Sequence, residues 1–365
     1  MRLIVTGGGT GGHLFPALAV ARGIQNSYID GEVLFVGTGR HLDNRVLTEA
    51  GVTRKVINFS GVKGLGMSGV LHAGSRLPQA LLQSLLIIHR FKPDLVFGVG
   101  GYVTGPVLLA AKFLRVPICI HEQNSVPGLA NRLAGKLADR ICISLPCKPS
   151  FAENKTELTG NPVREEILLA AQNRQEKEGR EKQSRTLLIL GGSQGARRLN
   201  ELVLAAMRIL HNKGERLRVI HQTGITDEQT IRNGYRQGGI EAEVASFFGD
   251  MADIYSRADL VISRAGATTL AELAVMGLPA LLVPYPYAAD DHQTTNAAYY
   301  VAGRGALMEP EPELDGRKLA EKINCLVGNQ DILKNMARAM RGLGRPQATD
   351  RIVALCADLA GIGFK

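Results

Sequence analysis

The sequence predicts an α/β protein built from two parallel-sheet domains in tandem. Three observations carry this. Short apolar runs alternate with helix-length segments from end to end, which is the pattern of βαβ units. The chain has 365 residues, too many for one ordinary doubly wound domain and enough for two that each bury a core. The order of elements also repeats. Residues 2–6 run into the glycine loop Gly7-Gly8-Gly9-Thr10-Gly11-Gly12-His13, and residues 186–190 run into Gly191-Gly192-Ser193-Gln194-Gly195. Farther on, the apolar run 93–97, the glycine-rich turn 98–105, a helix and the run 116–120 are matched by 258–262, Ser263-Arg264-Ala265-Gly266, a helix and 278–282.

Taken in order, the first strand and loop open a helix at 14–24, and a second strand follows at 32–36. Residues 60–75 are dense in glycine and read as a mobile loop, with a helix from about Pro78 to Arg90. The domain boundary is expected near Asn161, giving domains of 1–161 and 162–344. Residues 172–184 are dense in Glu, Lys, Arg and Gln without apolar periodicity and read as an exposed connector. The last helix, about 347–360, is compatible with packing on either domain.

Composition narrows the partners. The net charge of +9 favours anionic ones, namely nucleic acid, an anionic membrane surface or phosphorylated small molecules. Nucleic acid is disfavoured, since there is no long Lys/Arg run and no Trp for base stacking. Five cysteines without a C-x-x-C pair point to free thiols in a reducing compartment. The first strand is not preceded by a charged and then apolar leader, so no signal peptide is expected. The apolar run 81–88 is too short to span a bilayer, and Lys112 and Arg115 interrupt 107–120.

Gly7, Gly9 and Gly12 spell G-x-G-x-x-G, but two familiar readings fail. A dinucleotide site needs an acid at the far end of the second strand, where Gly37-Thr38-Gly39 stands. A phosphate-binding loop of the Gly-Lys-Ser/Thr kind needs a lysine where His13 stands. A different phosphate-type loop feeding a helix N-terminus remains. His13, at the start of that helix, is disfavoured as an imidazolium by the dipole and is a candidate general base. Thr269-Leu270-Ala271-Glu272 has the spacing of a capping box, which by itself accounts for Glu272. Asn161-Pro162-Val163-Arg164 reads as a helix start that places Arg164 in the first turn, where a cation suggests a nearby anion. Residues 291–296 (Asp-His-Gln-Thr-Thr-Asn) follow a buried strand, the usual place for ligand contacts in an open sheet. No second His stands at i+4, and no metal site or cofactor is expected.

Several blocks together resemble one family. Residues 7–16 (GGGTGGHLFP), 100–106 (GGYVTGP) and His121-Glu122-Gln123-Asn124 are similar to the acceptor-side signatures of the MurG family of bacterial glycosyltransferases. Residues 160–164 (GNPVR), 191–197 (GGSQGAR), 221–224 (HQTG) and 263–272 (SRAGATTLAE) are similar to its donor side. The resemblance runs nearly the length of the chain. It implies the GT-B fold, two Rossmann-like domains facing a cleft, with the C-terminal helix of about 345–365 returning to the N-terminal domain. It also implies transfer of N-acetylglucosamine from UDP to lipid-linked N-acetylmuramyl-pentapeptide in peptidoglycan synthesis.

Carried over by position, the C-terminal domain would hold UDP-N-acetylglucosamine. Arg164 and Ser193 would meet the diphosphate, the Phe248 backbone the uracil, and Glu272 the ribose. Ala267, Thr268 and Thr269 would offer helix amides to the phosphates, and His292 and Gln293 would reach the sugar, with Asn296 nearby. In the N-terminal domain Gly9, Thr10, His13, Gly101, Tyr102, Gly105, Glu122 and Asn124 would contact the acceptor. Thr10, Gly11, Gly12 and Asn124 would also reach the donor. The reaction would be a single inverting displacement with His13 as base, and helix N-termini with Arg164 would take the place of a metal. Attachment would be peripheral, at the cytoplasmic face of the cell membrane, on anionic lipid. The residues proposed for it are Leu77, Leu81, Leu82, Leu85 and Ile88, with other cell-wall synthesis proteins as further partners. Another GT-B enzyme, such as a glycolipid synthase or a UDP-sugar 2-epimerase, and a non-catalytic UDP-sugar-binding scaffold are the alternatives.

Overall fold

A computed structural model describes residues 1–8, 11–39, 46–57, 59, 67–176, 184–192 and 195–363. The chain divides into two compact units, Met1–Arg164 with Pro346–Lys365, and Glu165–Arg345.

The first unit is a parallel sheet of β1 (Arg2–Thr6), β2 (Glu32–Gly37), β3 (Thr53–Val56), β4 (Leu95–Gly98), β5 (Ile118–Glu122), β6 (Arg140–Ile143) and β7 (Thr156–Leu158). Their order is β3-β2-β1-β4-β5-β6-β7. Strand side chains alternate between faces, and the core divides accordingly. Leu3, Val5, Phe35 and Phe97 join the layer of α1 (Gly11–Ser27). Ile4, Leu34, Val36 and Val96 join the opposite layer, which holds α2 (Met67–Phe91), α3 (Thr104–Phe113) and α4 (Leu129–Leu137). Burial on both faces is why these strands read as continuous apolar runs.

The second unit repeats the plan. Its strands are β8 (Arg185–Leu190), β9 (Leu217–Gln222), β10 (Ala242–Ala245), β11 (Leu260–Ser263), β12 (Ala280–Leu282) and β13 (Ala306–Met308), all parallel, in the order β10-β9-β8-β11-β12-β13. Its helices are α5 (Glu165–Glu176), α6 (Arg197–Asn212), α7 (Glu228–Gln237), α8 (Met251–Arg257), α9 (Ala267–Met276), α10 (His292–Ala302), α11 (Gly316–Val327) and α12 (Gln330–Leu343). The final helix, α13 (Ala348–Leu359), belongs to the first unit and puts Ile352, Val353, Cys356 and Ala357 into the α1 layer. A Cβ at Gly23 of α1 would lie 2.9 Å from Val353 Cγ2, so this packing is close.

Several local expectations are corrected. Helix α2 begins at Met67, not near Pro78, which lies in its interior. Glycine content suggested a loop there, yet the helix runs through Gly69 and Gly74; residues 60–66 of that expected loop lie outside the described residues. Strands β4, β5 and β12 begin after Pro93, Pro117 and Pro279, because proline has no N–H for the ladder. The carbonyls of Pro117 and Pro279 still accept from Val96 and Val261. Helix α5 starts at Glu165, so Arg164 precedes the helix. Helix α9 starts at Ala267 with Gly266 as its N-cap, two residues before Thr269, so the Thr269–Glu272 capping box does not form. Its end at Gly277 is the left-handed cap that the glycine predicts, with φ 64°.

Candidate active site

In each unit the central strand has neighbours whose connections leave in opposite directions, β2 and β4 beside β1, and β9 and β11 beside β8. Ligands of open α/β sheets bind in the crevice outside such a switch point, at the carboxyl ends of the strands. The glycine loops stand there in both units.

In the first unit two glycine turns pack backbone against backbone. A Cβ on Gly7 would meet Val99 Cγ2 at 2.3 Å and the Gly100 carbonyl at 2.8 Å; one on Gly101, whose φ is +90°, would meet the Gly8 carbonyl at 3.1 Å. Side chains would drive these turns apart. Gly9 and Thr10 lie outside the described residues. Gly11 and Gly12 open α1, with His13 in its first turn. The His13 ring lies over the second turn, since a Cβ on Gly100 would be 3.5 Å from its Nε2 and 3.3 Å from Asn131 Nδ2. Tyr102 is 39% exposed on that turn. Gly105 opens α3 on empty space, and Thr104 Oγ1 donates to the Gly100 carbonyl at 2.9 Å.

The end of β5 supports this region. His121 is wholly buried. Its Nδ1 lies 3.1 Å from the Gln123 amide nitrogen, which donates to it, so the ring proton sits on Nε2, 3.1 Å from the Gly160 carbonyl. Burial, only partly offset by the Gly160 carbonyl, holds its pKa down at about 4. Glu122, expected to contact the acceptor, is 2% exposed and committed elsewhere. Its Oε1 accepts from the Asn124 backbone and side chain (2.9 and 3.3 Å), and its Oε2 from Gly128 N–H and Asn131 Nδ2 (3.2 and 2.9 Å). Burial raises its pKa despite these donors. The carboxylate therefore fixes the loop that carries Asn124. Arg164 stacks its guanidinium on Phe15 of α1, 4.7 Å from the ring centroid.

In the second unit Ser193 lies outside the described residues. His221 ties α6 to the HQTG turn: its Nδ1 lies 2.9 Å from Tyr235 Oη and its Nε2 3.0 Å from Asn200 Oδ1, while Asn200 Nδ2 donates to the Thr223 carbonyl and to Asp227. Gln222 Oε1 accepts the Phe248 N–H at 3.2 Å. Glu272 is 4% exposed, and its Oε2 accepts the Tyr255 hydroxyl at 2.8 Å. Ala267, Thr268 and Thr269 form the first turn of α9, and no side chain caps that helix at Gly266. Gln293 Oε1 accepts from both Ala265 and Tyr285 N–H groups, at 3.2 and 2.9 Å. His292 Nδ1 lies 2.7 Å from the Ala289 carbonyl, which orients its ring. Asn296 is fully buried and donates to the Ala265 carbonyl at 3.2 Å, so it supports the Ser263–Ala267 turn.

Two residues that carry this geometry escaped the sequence reading. Arg264, 8% exposed, donates to the Val283 and Pro284 carbonyls and pairs with Glu311. Tyr255 reaches Glu272 from α8, and no spacing rule links two such positions. Among the described residues no cluster of His, Cys, Asp and Glu is arranged to hold a metal ion, and no helix is long and apolar enough to cross a membrane.

Comparison with known proteins agrees with this arrangement. Residues 3–143 match the glycosyltransferase family 28 N-terminal domain, and residues 186–352 match the family 28 C-terminal domain. A protein of Desulfotalea psychrophila named UDP-N-acetylglucosamine–N-acetylmuramyl-(pentapeptide) pyrophosphoryl-undecaprenol N-acetylglucosamine transferase is 49% identical, over 98% of this chain and 96% of its own. The crystal structure of Acinetobacter baumannii MurG superposes with a TM-score of 0.79 at 32% identity, covering 98% of this chain and 99% of that one. UDP-GlcNAc 2-epimerase from Neisseria meningitidis, at 14% identity and a TM-score of 0.69 over 97% and 98% of the two chains, shares the fold alone. Matched family models over both units, and close relatives over almost the whole chain, lead to one conclusion: this chain belongs to glycosyltransferase family 28, within the MurG family.

Proposed function

We propose that this protein transfers N-acetylglucosamine from UDP-N-acetylglucosamine to the C4 hydroxyl of undecaprenyl-diphospho-N-acetylmuramoyl-pentapeptide, making the β-1,4-linked disaccharide lipid of peptidoglycan synthesis. The observation that carries this reading is the nearly full-length identity of 49% to a transferase of that name. Both glycine loops and both helix N-termini also stand at the switch points of their sheets.

The donor α-linkage becomes β, so one displacement suffices, with a base for the acceptor hydroxyl and charge stabilisation for departing UDP. His13 is the base, its ring held over the Gly100 turn. The acceptor diphosphate lies along the Gly7–His13 loop, with Tyr102 and Asn124 beside it, and Glu122 holds Asn124 in place. The donor occupies the second unit. The N–H groups of Ala267, Thr268 and Thr269, together with Arg164 and Ser193, take the diphosphate, where a helix N-terminus favours negative charge. Glu272 accepts the ribose hydroxyls. The Phe248 N–H is taken by Gln222, which leaves the Phe248 carbonyl as the backbone group for the uracil. Gln293 spends its carbonyl on two backbone N–H groups, which leaves its amide nitrogen as the donor for the sugar, with His292.

Membrane attachment runs through one face of the first unit. On α2, Leu77, Leu82 and Leu86 are exposed, while Leu81 and Leu85 pack against the core and Ile88 is buried. Phe113 and Leu114 at the end of α3, and Leu129 and Leu133 on α4, are exposed in the same helix layer. Lys112, Arg115, Arg132 and Lys136, all exposed, supply positive charge for anionic headgroups.

The test is UDP release from UDP-N-acetylglucosamine that depends on the lipid-linked acceptor. His13→Ala is expected to retain donor binding and lose about 10²- to 10⁴-fold in turnover. Turnover at the parent rate would remove His13 as the base. UDP release without acceptor, accompanied by epimerised sugar, would overturn the transferase reading.

A further inference from the structure

We infer that Tyr255 is a positioning residue for the donor nucleotide. Its phenol fixes the Glu272 carboxylate in the orientation that reads the ribose, so discrimination between ribose and deoxyribose depends on a side chain that touches neither. This rests on the assignment of Glu272 to the ribose made above.

The argument starts from burial. Glu272 is 4% exposed inside α9, at a helix position that the capping-box spacing does not explain. A carboxylate so placed is costly unless donors meet it. The Tyr255 hydroxyl, on a side chain 1% exposed, donates to Glu272 Oε2 at 2.8 Å. A hydrogen bond to a charged acceptor is short and strongly directional, so it selects one carboxylate rotamer. An ionised carboxylate has about four acceptor sites, of which the phenol takes one.

The phenol is itself held. Tyr255 belongs to α8, which Asp250 caps by accepting the Asp253 N–H. Arg174 of α5 donates to the Tyr255 and Ser256 carbonyls at 3.3 and 3.1 Å, where α8 ends. Helix α8 therefore presents the hydroxyl from a fixed backbone, and Glu272 is oriented before the nucleotide arrives. Such preorganisation lowers the ordering cost of binding.

The experiment measures the affinities of UDP and 2′-deoxy-UDP for the full chain, as wild type, Tyr255→Phe, Glu272→Gln and the double variant. Wild type is expected to prefer UDP by about tenfold or more, the size of one well-formed hydrogen bond to a charged group. Tyr255→Phe is expected to cut that preference to within about threefold of unity and to raise the KM for UDP-N-acetylglucosamine about tenfold with kcat unchanged. The double variant is expected to match Glu272→Gln. The ratio of two affinities does not depend on the fraction of protein folded, so modest destabilisation does not blur it. Undiminished ribose preference in Tyr255→Phe overturns the inference. So does a Tyr255→Phe protein that fails to fold beside a folded Glu272→Gln, because the hydroxyl would then serve the core. A wild type without preference between the two nucleotides instead overturns the assignment of Glu272 to the ribose.

Discussion

His221 makes the second unit sensitive to acid by a calculable amount. The ring is wholly buried, and its partners fix one neutral tautomer. Asn200 Oδ1 can only accept, so Nε2 carries the proton, and Nδ1 accepts from the Tyr235 hydroxyl. A proton added at Nδ1 would oppose that hydroxyl at a fully buried position. Burial accordingly holds the His221 pKa down at about 3. The unfolded chain titrates near the ordinary value of about 6.5, so between these limits the unfolded state binds more protons and folding weakens as pH falls. The stabilisation is fully present above about pH 6.5 and disappears on the way to about pH 3. The whole shift amounts to about 5 kcal/mol, of which about 2 kcal/mol is already lost at pH 5. Urea unfolding of the full chain between pH 8 and pH 4.5, followed by circular dichroism, should show this loss for wild type. His221→Gln should be less stable at pH 8 and flatter with pH, by up to about 1.4 kcal/mol per pH unit across the window. His121 does the same for the first unit, with a pKa of about 4, and should keep its slope in that variant. An equal pH slope in wild type and His221→Gln, or a His221 imidazole that titrates above pH 6 in the folded protein by NMR, would refute the reasoning.

Other perturbations separate support from contact. Arg264 and Glu311 form a nearly buried pair, with side chains 9% and 11% exposed. Arg264→Met or Glu311→Gln alone should cost about 3–5 kcal/mol in urea unfolding, because each leaves its partner uncompensated, whereas the double change should cost clearly less than the sum. Leu82→Glu with Leu86→Glu should weaken binding to anionic vesicles without changing thermal stability, since both leucines are exposed. Leu81→Glu with Leu85→Glu should lower thermal stability, because those side chains pack on the core. Unchanged vesicle binding in the first pair would exclude α2 from the membrane face.

The expected architecture was legible because its signals are local. Strands buried on both faces must be apolar throughout, and glycines stand where backbones touch, so Leu3-Ile4-Val5 and Gly7 announced a strand and a close turn. The halves repeat, and the sheets duly share the strand order 3-2-1-4-5-6. Edge strands β3 and β7 were not legible, since Thr53-Arg54-Lys55-Val56 is exposed and carries no hydrophobic pattern. The candidate site was legible as positions rather than as contacts. Family blocks put His13, Glu122 and Glu272 forward and the polar cluster 291–296 put Gln293 and Asn296 forward, but sequence does not distinguish a ligand contact from its support. Glu122 and Asn296 are buried among their own loops.

By itself the sequence determined the α/β class, the repeat and the chemical types at the carboxyl ends of the strands, because periodicity, glycine placement and length constrain those directly. Only the tertiary structure decided which residues meet across long separations. Tyr255 finds Glu272, Arg264 finds Glu311, and Ile352, Val353, Cys356 and Ala357 are the residues by which α13 joins the α1 layer. Such pairings depend on the summed burial and backbone geometry of many elements, and no short stretch of sequence carries that sum.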